Sequence, residues 1–247
     1  MGSAQDDTTR LTYFSYIVTN SELYVHSVHI PNARLSYVRA STSAIFALRI
    51  CPNSEINMRT LVLSDIHGSA YACKMALSYL EKFGCERIFL LGDLLYHGPR
   101  NPLPGGHDPQ GVVELLSPLK DKITAVRGNC DAEVDQMVLG FPCLADYAEL
   151  EENGVRLFLS HGHLYDPYLF SHYKADVYFS GHTHIFTAEK NVDGVYCLNP
   201  GSTSLPKGGN PPTFGLYDDD GKNPPRFSVH HLESGKEILS ISISSRQ

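Results

Sequence analysis

Thr60-Leu61-Val62-Leu63-Ser64-Asp65-Ile66-His67-Gly68 is the stretch on which the reading of this chain turns. An apolar run of strand type stops on Asp-x-His-Gly, so a carboxylate and an imidazole stand at one sheet edge. Residues two apart on extended chain point the same way, which lets Asp65 and His67 reach one ion. Taken alone, the motif is a weak signal and reads better as a polar turn between strand and helix. The weight comes from later stretches, where apolar runs again end on groups of the same ligand chemistry.

Outward from that turn, Ser69 is an N-cap for a helix with Ala72, Met75, Ala76, Tyr79, Leu80 and Phe83 at helical spacing, closed by Gly84. A second buried strand over 87–91 ends on Gly92-Asp93, about one βαβ unit of 30 residues after the first. His97-Gly98-Pro99-Arg100-Asn101-Pro102-Leu103-Pro104-Gly105-Gly106 holds three prolines and three glycines in ten residues, which rules out a helix or central strand. It is a stiff loop at the edge where Asp93 sits. A helix over 109–117 leads to a third strand over 123–126, which ends on Arg127-Gly128-Asn129-Cys130-Asp131. Asp131 caps a helix with Val134, Met137 and Val138 on one side.

The second half is richer in hairpins. Strands over 147–150 and 155–159 flank Asn153-Gly154, a hairpin signal, and the second ends on Ser160-His161-Gly162-His163. A strand over 176–179 runs into Gly181-His182-Thr183-His184, and strands over 186–190, 195–198, 213–217, 226–231 and 237–242 follow. A parallel α/β half followed by a hairpin-rich half implies two sheets packed face to face with helices outside. Ligands gather beyond the carboxyl ends of the strands of such sheets, where each motif falls.

Composition narrows the function. With 247 residues, 42% hydrophobic and 19% charged, the chain can build a core of ordinary size. A net charge of −7 argues against a general nucleic-acid binder, yet bound cations would still admit a small anion. Six cysteines without a Cys-x-x-Cys pair read as free thiols of a cytoplasmic protein, with Cys73, Cys85 and Cys143 as packing residues. No apolar run is long enough to span a membrane. Residues 1–57 read differently from the rest. Met58 directly precedes the first core strand and is the expected natural start, with 1–57 an extension of unknown role and 58–247 the functional domain.

Asp65, His67, Asp93, Asn129, His161, His182 and His184 together supply two carboxylates, one amide oxygen and four imidazoles. Mixed oxygen and nitrogen donors suit Mn²⁺, Fe, Zn²⁺ or Ni²⁺. Seven side chains are too many for one ion and suit two that share a carboxylate. In order and chemistry, Asp65-Ile66-His67, Gly92-Asp93, Gly128-Asn129-Cys130-Asp131, His161-Gly162-His163 and Gly181-His182-Thr183-His184 resemble the motif set of the calcineurin-like metallophosphoesterase superfamily. The 97–104 loop, Gly128-Asn129-Cys130-Asp131 and Pro206-Lys207-Gly208-Gly209-Asn210 resemble its YfcE-like phosphodiesterase branch.

The resemblance implies an α/β fold, a two-sheet αββα sandwich, and two divalent ions, Mn²⁺ first among the candidates. One ion would be held by Asp65, His67, Asp93 and His184, the other by Asp93, Asn129, His161 and His182. A water or hydroxide would be the second bridge and the nucleophile on a small phosphodiester. Many relatives place a His after the motif Asn as general acid, and here Cys130 stands there. Asp131, His97 or His163 could serve instead, and Arg100 could grip a phosphate oxygen, although a surface arginine is an equal reading. Lys207 reads as solvated. The alternatives are a phosphomonoesterase or nucleotide pyrophosphatase on the same site, or a scaffold like the retromer subunit of this fold. A homo-oligomer is compatible with all three.

Overall fold

The computed structural model describes residues 15–17, 33–37, 39–40, 45–52, 58–166 and 175–244. Before Met58 these include β1 (Ser15–Ile17), β2 (Ala33–Tyr37), β3 (Arg39–Ala40) and β4 (Ile45–Pro52). From Met58 onward come β5 (Met58–Leu63), α1 (Ala70–Leu77), α2 (Tyr79–Phe83), β6 (Arg87–Leu90), α3 (Pro109–Leu116), β7 (Ile123–Ala125) and α4 (Glu133–Leu139). The hairpin-rich half supplies β8 (Tyr147–Glu152), β9 (Val155–Ser160), β10 (Val177–Phe179), β11 (Thr187–Lys190), β12 (Tyr196–Asn199), β13 (Thr213–Asp219), β14 (Arg226–His231) and β15 (Glu237–Ser242).

Two six-stranded mixed sheets result, in the orders β15-β14-β13-β5-β6-β7 and β11-β12-β10-β9-β8-β3. β5, β6 and β7 run parallel at one side of the first sheet, and β9, β10 and β12 run parallel at the centre of the second. The chain thereby brings five carboxyl strand ends, of β5, β6, β7, β9 and β10, to one rim. The edge pair between β3 and β8 joins Arg39 to Glu149, so residues before Met58 add a strand to the second sheet.

The sheets stay together because each central strand alternates apolar residues on both faces. Val62, Phe89 and Leu91 meet Leu157, Leu159, Val177, Phe179 and Leu198 between the sheets. Leu61, Leu63, Ile88 and Leu90 face the other way, onto Ala72, Cys73, Ala76, Val112, Leu116 and Leu139 of the helices. Burying one such side chain is worth about 1.5–3 kcal/mol. Cys73, Cys85 and Cys143 are buried as expected, and these three, Cys130 and Cys197 are free thiols.

Ser69 caps α1 by accepting from Ala72 N at 3.2 Å, and Gly84 ends α2 at φ 64°. The expected single helix over this stretch is two, separated at Ser78, whose hydroxyl donates to Met75 O at 2.7 Å. α4 differs more. Ala132, not Asp131, is its N-cap, and Val134, Met137 and Val138 are exposed rather than packed. Asp131 is drawn away from the helix into a buried hydrogen-bond cluster, described below. Among the described residues no helix is long and apolar enough to cross a membrane.

Candidate metal centre

Six non-glycine residues among those described have positive φ, and five of them are motif residues: Asp65 (54°), His67 (49°), Asp93 (56°), His182 (64°) and His184 (60°). Side chains of L-residues resist this region, and such strain gathers at functional sites. It also changes the reason Asp65 and His67 converge. β5 stops at Leu63, so the pair is brought together by left-handed turns beyond the strand and not by the alternation of extended chain.

What the turns assemble is a pocket of acceptors. Asp65 Oδ1 is buried with no hydrogen-bond partner, 3.3 Å from His184 Nε2 and 3.7 Å from His67 Nε2. His67 Nε2 and His184 Nε2 face each other at 3.3 Å. Asp93 Oδ2 lies 3.6 Å from His67 Nε2 and 3.4 Å from His161 Nε2, between the two groups. On the far side, Asn129 Oδ1 is 3.2 Å from His161 Nε2 and 2.8 Å from His182 Nδ1. All seven motif residues therefore converge, with Asp93 in the shared position.

Each donor atom is aimed by a second contact. The Nδ1–H groups of His67, His161 and His184 donate to the carbonyls of Tyr96 (2.7 Å), Leu91 (2.6 Å) and Leu205, which turns each Nε2 inward. Asp65 spends Oδ2 on Ser64 Oγ–H (2.7 Å) and His182 N–H (3.1 Å), leaving Oδ1 bare. Asp93 spends Oδ1 on Cys130 N–H (2.8 Å), leaving Oδ2 to face the His67 and His161 rings. A set of oxygen and imidazole acceptors with one orphaned buried carboxylate oxygen fits divalent cations.

Two glycines permit this closeness. A Cβ on Gly128 would lie 2.1 Å from Asp93 Oδ1, and one on Gly181 would lie 1.9 Å from Ser64 Oγ. Sequence reasoning missed Ser64, and it placed Asp131 wrongly as a helix cap or proton donor. Asp131 is buried and accepts from the backbone N–H groups of Asp93 (2.9 Å), Leu94 (2.8 Å) and Gly128 (2.7 Å), pinning one ligand loop to the next. Also missed was the 199–205 loop. Ser202 Oγ donates to Asp65 O at 2.7 Å and Ser204 Oγ to Ile66 O at 2.8 Å, supporting the first motif from beneath. The signal available was Asn199-Pro200-Gly201-Ser202, a turn sequence at one more strand end.

Burial opposes charge throughout the pocket. His161 is nonetheless raised to about 9, because Asp93 and Asp65 outweigh its desolvation, and in the metal-free chain a proton there stands in for a cation. Burial also works against the Asp93 charge, but the hydrogen bond and charge of His161 and the N–H of Cys130 hold it well below the usual carboxylate range. Burial lowers His184 and His182, and it lowers His163, beside His161 and His182, to about 4. Asp131 is pushed up to about 6 by burial against its three N–H donors. Burial, with the Asp93 carboxylate adding to it, pushes the Cys130 thiol up to about 12.

The remaining expected residues are not in the cluster of donor atoms. His97 stacks edge-on with Tyr96 (4.9 Å) and His107 (5.6 Å) on the Pro-rich loop. Arg100 is exposed on that loop, with no hydrogen bond or ion pair among the described residues. Lys207 is exposed, as expected. Cys130 lies closer in, its sulfur grouped with donor atoms of His67 and Asp93 that all fall within 4.8 Å of one another.

Residues 58–222 match the family model for the calcineurin-like phosphoesterase superfamily domain. The chain is 46% identical over 188 residues to Phosphodiesterase YfcE of Escherichia coli K12, a match spanning 76% of this chain and 99% of that protein. A solved structure of the E. coli phosphoesterase Yfce aligns at TM-score 0.70 and 42% identity, covering 76% of this chain and all of the other. Vps29 of Entamoeba histolytica, complexed with Zn²⁺, aligns at TM-score 0.53 and 20% identity over 76% of this chain and 100% of that chain, a likeness of fold alone.

Proposed function

The chain belongs to the calcineurin-like phosphoesterase superfamily, and from that premise we propose that it is a two-metal phosphodiesterase, with Mn²⁺ the working ion. One ion takes Asp65, His67, His184 and Asp93; the other takes Asp93, Asn129, His161 and His182. The observation that carries this reading is Asp93 Oδ2, which lies 3.6 Å from His67 Nε2 of one set and 3.4 Å from His161 Nε2 of the other. Two divalent ions held there would supply Lewis acidity and a water-derived nucleophile for in-line displacement at phosphorus.

The chain's own residues set the rest of the chemistry. Asp65 and Asp93 bring two negative charges to a site built for two dications, so it stays positive and attracts a phosphate despite the chain's overall charge. The left-handed turns fix the ligands before substrate arrives, so no reorganisation is needed at the moment of reaction. Proton donation is weakly provided for. Asp131 spends both oxygens on backbone N–H groups, and Cys130 is a thiol, a weak donor. A leaving group that departs without protonation is therefore favoured, which points to activated phosphodiesters over phosphomonoesters.

The test is a panel of chromogenic diesters and matching monoesters, assayed with Mn²⁺, Ni²⁺, Zn²⁺ and Mg²⁺ after chelation. Diester cleavage that is abolished by chelation and restored best by Mn²⁺ is expected. Faster monoester cleavage would favour a monoesterase instead.

A further inference from the structure

Cys130 occupies the position after the motif Asn, with its sulfur beside donor atoms of His67 and Asp93. Its sulfur accepts a hydrogen bond from Asn129 Nδ2 at 3.1 Å. That contact sorts the two ends of the Asn129 carboxamide. With the NH₂ on the sulfur, Oδ1 is left facing His182 Nδ1 at 2.8 Å and His161 Nε2 at 3.2 Å. Reversed, the amide would point two N–H groups at ring nitrogens needed as cation donors, and its oxygen would be left to a thiol, a weak donor.

We propose that Cys130 is a positioning residue whose sulfur selects the amide orientation that makes Asn129 an oxygen ligand of the second ion. The inference rests on the two-ion reading above. The main chain of Cys130 contributes separately, since its N–H holds Asp93 Oδ1 at 2.8 Å whatever the side chain. The side chain is held in place from the other side by Gly98, where a Cβ would come within 3.0 Å of the sulfur. Substituting Cys130 therefore removes the amide's orienting partner while leaving the bridging carboxylate fixed.

The experiment is calorimetric titration of the metal-free full chain with Mn²⁺, for wild type, Cys130→Ala, Cys130→Ser, Asn129→Asp and the Asn129→Asp/Cys130→Ala double variant. Outer partners of metal ligands typically carry about 10–100-fold in affinity. Cys130→Ala should weaken the second ion by about that factor and leave the first, which uses neither residue's side chain, unchanged. Cys130→Ser, which keeps an acceptor, should restore it. In the Asn129→Asp background both oxygens are equivalent, no orientation remains to be lost, and Cys130→Ala should change nothing. An equal loss in both backgrounds, or an unchanged second affinity in Cys130→Ala, overturns the proposal while two ions in the wild type leave the dinuclear reading intact. Fewer than two ions in the wild type overturns both. A sulfur-to-cobalt charge-transfer band in cobalt-loaded wild type also overturns it, because the sulfur would then be a ligand.

Discussion

The two rims of the sandwich both bury charged groups, and they satisfy them in opposite ways. At the amino ends of β5 and β6, the Arg87 guanidinium grips both oxygens of the buried Glu152, one at 2.8 Å, and reaches Thr60 Oγ1 at 3.0 Å. Nearby, Arg59 pairs with Asp218, and Asn153 Nδ2 donates to Asp219 at 2.7 Å. Glu152 and Asp218 there each pair with an arginine of the chain, while Asp219 meets Asn153 through Oδ1 alone and keeps Oδ2 without a partner. At the opposite rim, Asp65 and Asp93 meet imidazoles and backbone N–H groups, and among the described residues no lysine or arginine pairs with either. A buried imbalance of this kind is met by a shift of protonation or by a cation. The first rim belongs to the fold, the second to a ligand.

The most damaging way to test that contrast is Asp93→Asn. Loss of the shared carboxylate should drop Mn²⁺ below two per chain and cut diester turnover by about 10³-fold or more, given that metal ions supply several kcal/mol of transition-state stabilisation. Unfolding in denaturant should shift little in the metal-free protein. Full activity with two bound ions would end the bridging assignment.

The converse substitution is Glu152→Ala. It strands a mostly buried guanidinium and should cost about 3 kcal/mol in denaturant unfolding, while metal stoichiometry and turnover per folded molecule stay as in the wild type. If activity falls in proportion to stability, the rims are not separable.

The difference between the rims also explains how much could be read from the chain. Strand ends at 63, 90 and 160 and the Asn153-Gly154 hairpin were legible because apolar alternation and turn chemistry are local, and the seven acceptors were legible because each closes such a run. Asp131 was not. An Asp before an amphipathic-looking segment has the pattern of a cap, and only the tertiary fold shows three N–H groups from two loops converging on it. Val134, Met137 and Val138 share a helix side that the fold leaves exposed: a helical period says that a face is apolar, not that anything covers it. Ser64 acts on the carboxylate of its neighbour Asp65 and Ser202 on the Asp65 carbonyl from far along the chain, contacts that no residue pattern announces.

Chelation should act on stability as well. If the acceptor pocket is corrected by ions, those ions bind the folded state alone, and each adds about 2.7 kcal/mol when free metal is a hundredfold above its Kd. The melting temperature should therefore fall on chelation and climb with Mn²⁺ concentration. A melting temperature indifferent to Mn²⁺ would mean that the site rim is balanced by the chain after all.

Ser64→Ala gives the finest cut. The hydroxyl is fully buried and its recorded contact is to Asp65 Oδ2, at 2.7 Å, so it contributes to the aim of one ligand and to no sheet or helix. Removing it leaves Asp65 Oδ2 with the His182 N–H and frees the carboxylate to rotate. The first ion should weaken about tenfold, at the low end for an outer partner, and metal-free stability should change by less than about 1 kcal/mol, because the orphaned carboxylate keeps one donor. A loss of stability with metal affinity intact would assign Ser64 to the fold, and would show that the boundary between the rims runs closer to the ions than the geometry implies.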